Sequence, residues 1–195
     1  TLTLTHSNGA TFAAPVTVGT SVVLSNTVAG QTIRFADSLS TPVLTTTANG
    51  YNVELLGATT NVSAANTATS FLNTGNLVLG NSAGDTLTFA GGLTATAPTA
   101  VSAAGTLNTT NKALSLGDSN TALTLSDDLT INTTGGNLTL GGAVNGTTAN
   151  TQSLTLNAGS TGAVSVVGAM GQGTSLQTLT LTHSNGATFA APVTV

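Results

Sequence analysis

Few residues in this chain are equipped for chemistry, and their spacing decides how much they can do. His6 recurs as His183 in the same THSNG setting, nearly a whole chain length away. Each imidazole therefore has no second His nearby in sequence to share a metal ion or relay a proton, so it reads as a polar residue ending a strand and entering a turn. Asp127 and Asp128 are adjacent. In extended chain, neighbouring side chains point to opposite faces, so these two do not form the converging carboxylate pair of glycoside hydrolysis. Asp85 in AGDT and Asp118 in GDSN invite comparison with calcium-binding repeat loops. The glycine-rich nonapeptide with its regular Asp is missing, however, and a hard cation wants several oxygen ligands together.

The remaining candidates are as sparse. Arg34 and Glu54 fall at similar phase on successive predicted strands and are expected to pair across them. Lys112 is the only lysine, and nothing in its spacing supports an isopeptide cross-link. Asn61, Asn108, Asn132, Asn137 and Asn145 match the NxS/T acceptor pattern, as chance alone provides in a chain this rich in Asn and Thr. No catalytic, cofactor-binding or metal-binding residue is therefore assigned, and no cofactor is expected.

What positions these residues is a chain of unusual composition. Charged residues make up 4% of its 195 positions, against about 25% in ordinary soluble proteins. Thr, Ser and Asn carry the polarity instead, between short aliphatic side chains, a mixture with high β propensity. Hydrophobic residues at 39% argue against disorder. Two basic residues against six acidic ones leave no footprint for nucleic acid and no polybasic face for anionic lipid. With no Cys, disulfides and thiolate metal sites are excluded. Leu129 to Val195 holds no Asp, Glu, Lys or Arg, yet polar residues break every apolar run well short of the roughly 18 residues of a membrane helix, so no membrane insertion is expected.

The organising feature is a repeat. TLTLTHSNGATFAAPVTV occupies Thr1 to Val18 and returns unchanged from Thr178 to Val195. Residues 1–177 are expected to be one unit of a tandem array, with 178–195 the start of the next. Within the unit, Leu2 and Leu4 alternate with Thr1, Thr3 and Thr5, the pattern of a half-buried strand. Similar short strands are predicted at 32–35, 52–55, 76–79, 86–89, 113–116, 122–125, 129–131, 137–140, 153–156 and 163–166, nearly all bounded by Gly, Asn, Asp or Ser. No stretch has helical apolar spacing, so almost no helix is expected.

The LxL phrases at Leu2, Leu77, Leu114 and Leu154 line up as three-strand coils, which gives about nine coils of roughly twenty residues per unit. Nine coils would advance the chain by roughly 43 Å at about 4.8 Å each. Phe12, Phe35, Val53, Phe71 and Phe89 are spaced to form an internal ladder, and Val167 to Gln177, with Gly168, Gly171 and Gly173, reads as a loop thrown outward.

Phrases such as NLTLGGAV, SLTLNAGSTGAVSVVGAM and TLTLTHSNGATFAAPVTV resemble the β-strand-repeat regions of bacterial surface proteins of the filamentous-haemagglutinin and autotransporter-adhesin type. The resemblance implies an all-β, right-handed parallel β-helix exported to the cell surface as a fibre, stalk or adhesin. Its expected partners are its own successive repeats, neighbouring fibres and a host, cell or other surface. Members that are enzymes carry active residues for which no counterpart is found here, so the expectation is a non-enzymatic, extracellular structural repeat. A carbohydrate-active β-helix, either a lyase or a tailspike-like hydrolase, is the alternative; it would need clustered carboxylates and stacking aromatics, where this chain offers one Tyr and no Trp. A third reading is ice binding, suggested by TxT at Thr1/Thr3/Thr5, Thr86/Thr88 and Thr94/Thr96.

Overall fold

Alternating Leu/Val/Ile and Thr/Ser residues can bury one side of a strand only, and short strands so built must be stacked to share a core. The computed structural model, which describes all residues from Thr1 to Val195, does this with 22 strands and no helix. Every ladder between named strands is parallel. The chain is a β-solenoid whose turns run over three faces; Ala100–Asn108 and Ala122–Asn132 each cover the second and third faces as one long strand with a register shift between Ala103 and Gly105, and Met170 joins the second face through isolated bridges.

Inward residues stack in rows. On the first face the row runs through Leu2, Val22 and Leu44, and resumes through Thr69, Leu93, Leu114, Leu138, Val164 and Ala187. On the second it runs from Ala10 through Ile33, Val53, Leu77, Val101, Leu123, Val144 and Met170 to Val193. On the third it runs from Val16 through Leu39, Thr60, Leu87, Leu107, Ile131 and Leu156 to Leu181. Away from the two ends, the apolar members of these rows belong to one core cluster of 36 buried residues, against which Leu2 and Val16 pack half-buried.

The second face takes only eight steps between Ala10 and Val193, so its turns are longer on average than expected. The expected nine coils per unit are too many. Leu2 and Leu114 stand on the first face, Leu77 on the second and Leu154 on the third, so the LxL phrases do not mark one recurring position. All three faces bury the same alternation, which is why the phrases look equivalent. From Leu2 to Leu179 the chain makes seven and two-thirds turns, and the corresponding rise is about 37 Å.

The corners explain two further departures. Val167 to Gln177 is not an outward loop: Met170 and Leu176 are fully buried, and Gly171 N–H donates to the Val144 carbonyl. The segment follows the path of residues 144–152, with Gly146 N–H donating to Thr174 and Gln177 N–H to Gln152. Nor do the aromatics form one ladder. Phe12 and Phe35 stack on the second face with ring centroids 4.8 Å apart and planes at 12°, where Leu55 succeeds Phe35. Phe71 and Phe89 meet edge to face at 6.1 Å, Phe89 belonging to the third-face ladder.

The first-face ladder is interrupted between the strands Val43–Thr46 and Thr69–Ser70. Thr46 bridges the gap: its buried hydroxyl donates to the Ser70 carbonyl at 3.2 Å and accepts from Leu72 N–H at 2.7 Å. Tyr51 braces a corner similarly, donating to the Leu24 carbonyl and accepting from Thr47 N–H.

Candidate interaction face

The strand residues left outside by the alternation also form rows, and the third face carries the most regular one. Thr59, Thr86, Thr106, Thr130, Thr155 and Thr180 stand opposite one another in consecutive turns. Two residues along each strand, Asn61, Thr88, Asn108, Asn132 and Asn157 make a second row. Strand pairing sets the rungs about 4.8 Å apart along the axis, and the pleat sets the rows about 6.7 Å apart across it. Asn132 and Asn157 turn their carboxamide oxygens onto Thr134 N–H and Gly159 N–H, closing corners. The six threonine hydroxyls of the first row have no protein partner.

The expected TxT pairs do not form one such array. Thr3 and Thr94 lie on the first face and Thr86/Thr88 on the third. The six-rung row includes Thr59, Thr106, Thr130 and Thr155, where no TxT is written. Their neighbours across the pleat are Asn, and only the register between turns of unequal length brings them into line.

Arg34 and Glu54 are directly opposite on the second face, with Nε to Oε2 at 2.5 Å, and the Arg34 side chain is half-exposed. The Glu54 carboxylate, by hydrogen bond and charge, raises the Arg34 pKa. An exposed pair of this kind contributes little to stability.

The aspartates are spent on corners. Asp118 accepts from Asn120 N–H at 2.8 Å and Thr121 N–H at 3.0 Å. Asp85, nearly buried, accepts from Asn81 N–H and Ser82 N–H through one oxygen. Asp128 takes Ser153 N–H at 2.7 Å. Asp127 takes Asp128 N–H at 2.9 Å and Ala83 N–H at 3.0 Å, two bonds that lower its pKa. No three His, Asp or Glu side chains gather where they could share an ion.

His6 and His183 differ in backbone. His6 is left-handed, with φ of 54°, whereas His183 ends the strand Thr178–His183 opposite Asn157. Asn137 and Asn145, two of the NxS/T positions, accept from Ala163 N–H and from Gly173 and Thr174 N–H. Tyr51, the lone tyrosine, is fully buried. A cavity of about 300 Å³ opens over Leu77, Val101 and Thr124 on the second face; no charged side chain lines it.

The sites that chemistry would need are thus dispersed, and what the fold concentrates is an uncharged hydroxyl and carboxamide surface. Comparison with family models, with curated proteins and with solved structures gave no match for this chain.

Proposed function

We propose that this chain is the structural repeat of a long extracellular bacterial fibre, an adhesin stalk or sheath, whose task is mechanical rather than catalytic. The observation that carries the reading is the eighteen-residue segment, which forms a three-sided layer at both ends of the ladders. A protein that repeats a segment without change benefits from one task performed many times along a rod. The charge-poor exterior supports lateral association, because rods with few like charges repel weakly. Its partners in this reading are its own successive units, neighbouring fibres, and a cell or other surface.

Electron microscopy of a native array, or of units joined in tandem, tests this. The expected result is one continuous rod lengthening by about 37 Å per unit. Discrete beads of fixed size would overturn the reading.

The threonine row favours a second reading, binding to an ordered water lattice. Six unengaged hydroxyls in register on successive rungs are what such a lattice would meet. It requires thermal hysteresis that falls when Thr130 at the middle of the row is replaced by Tyr; no hysteresis in the unsubstituted chain ends it.

A further inference from the structure

We infer that successive repeat units join as one uninterrupted solenoid in which each unit is rotated by a third of a turn from the last, so that the fibre repeats only every three units. This deepens the fibre reading and rests on it.

The two copies of the segment sit on different faces. In the first copy Leu2 is on the first face, Ala10 on the second and Val16 on the third. In the second copy the same residues, Leu179, Ala187 and Val193, are on the third, first and second faces. The unit falls a third of a turn short of eight.

Chain length enforces the offset. Single turns, measured from one rung of an inward row to the next, are as short as Ile33 to Val53 and as long as Thr60 to Leu87. For Leu179 to occupy the first face above Val164, a turn would have to close between those two residues, in less chain than any turn of the solenoid uses. Three strands and three corners do not fit in that length, and Ala187, further along the chain, takes the place instead.

The two copies also display both sides of the junction. The first copy shows what lies on the upper edge of the segment: Val22 on Leu2, Ile33 on Ala10, Phe35 on Phe12 and Leu39 on Val16. The second shows what lies beneath the lower edge: Leu154 under Leu179, Val164 under Ala187, Val166 under Phe189 and Met170 under Val193. Joining them gives rows Leu154–Leu179–Val22, Val164–Ala187–Ile33, Val166–Phe189–Phe35 and Met170–Val193–Leu39, the last residue in each belonging to the following unit. Every row is apolar throughout and continues an inward row. Leu181, Phe189 and Val193, each at least 36% exposed at the end of the chain, are the side chains that the next turn would cover. The upper edge therefore fits the second turn of another copy of this unit, presented a third of a turn round.

Rotation has a consequence for the surface. The threonine row of one unit ends at Thr180, because Thr180 is Thr3 of the next unit and Val23 follows it. The next six-rung row begins on a different face, so a long fibre shows such rows in three directions and can be contacted laterally on all sides.

Cryo-electron microscopy of the native array, or of residues 1–177 joined three times and closed by 1–18, decides the matter. The expected helical symmetry is a rotation of about 120° with a rise of about 37 Å, and a true repeat of about 110 Å. A second measurement uses the absence of Cys: Ser102→Cys places one gold label per unit on the outward second face, and three units should carry labels at three azimuths. A continuous rod with labels along one line, or with zero rotation per unit, overturns the inference and leaves the fibre reading intact. Failure to form a rod at all overturns the fibre reading itself.

Discussion

Leu2 pairs with Val22 on the first face, whereas Leu179, the same residue of the repeated segment, pairs with Leu154 on the third. One eighteen-residue sequence thus serves two positions around the axis. Its apolar alternation satisfies any of the three faces, and its corner residues adapt their backbone to whichever corner they meet.

That adaptation predicts opposite responses at the two histidines. His6 is held at φ 54°, a region costly for a residue with a Cβ, so His6→Gly is expected to be neutral or to stabilise by up to about 1 kcal/mol. His183 lies in a strand, where Gly is expected to cost about 0.5–1 kcal/mol. Urea melts of the two single variants check the difference in sign.

Two buried threonines should also respond oppositely to one substitution. Thr60 sits in the inward third-face row between Leu39 and Leu87 with a hydroxyl that has no partner. Thr60→Val removes an unpaired polar group without changing shape and is expected to stabilise by about 1 kcal/mol. The Thr46 hydroxyl closes the interrupted first-face ladder, so Thr46→Val should destabilise by about 1–2 kcal/mol. Faster hydrogen exchange at Leu72 N–H in that variant would locate the loss.

Close approach between turns sets a third prediction. A Cβ on Gly136 would stand 2.1 Å from the Lys112 carbonyl oxygen, whereas one on Gly19 would meet nothing within 4 Å. Gly136→Ala must push adjacent turns apart and is expected to cost about 1–3 kcal/mol. Gly19→Ala should be neutral or slightly stabilising, and equal melting of the two variants would show that the tight corner is not there.

Asp127 provides a pH dependence. Its carboxylate accepts Asp128 N–H and Ala83 N–H, which lowers its folded pKa. The linked stabilisation is therefore fully present above the ordinary carboxylate range, about pH 4, and is lost as pH falls through the lowered folded value. In an NMR titration the Ala83 amide shift should follow Asp127 with a midpoint below that of an unperturbed Asp. Asp127→Asn should abolish that midpoint; a midpoint in the ordinary range would remove the corner bond.

The strands were largely legible. Thr32–Phe35, Asn52–Leu55 and Thr86–Phe89 fall where strict alternation places them. Among the strands missed by pattern, Thr59–Val62 and Ala100–Asn108 put Thr60, Ala103 or Gly105 where a bulkier apolar residue would signal the inward side. Their pairing comes from neighbours already in place above and below. The ion pair Arg34–Glu54 was legible for a simple reason: the short turn between them keeps like phase opposite like phase.

Sequence by itself determined that the chain is all-β, stacked, and built on a segment that recurs unchanged from Thr178. Those properties follow from alternation, composition and identity, which are local. Which face each strand occupies was decided only in the tertiary structure, and with it the seven and two-thirds turns per unit and the six-rung threonine row. The physical reason is that all three faces bury the same kind of alternation, so local pattern cannot tell them apart. Corner lengths and the stacking of each turn on the last fix the phase, and both are sums over the whole chain.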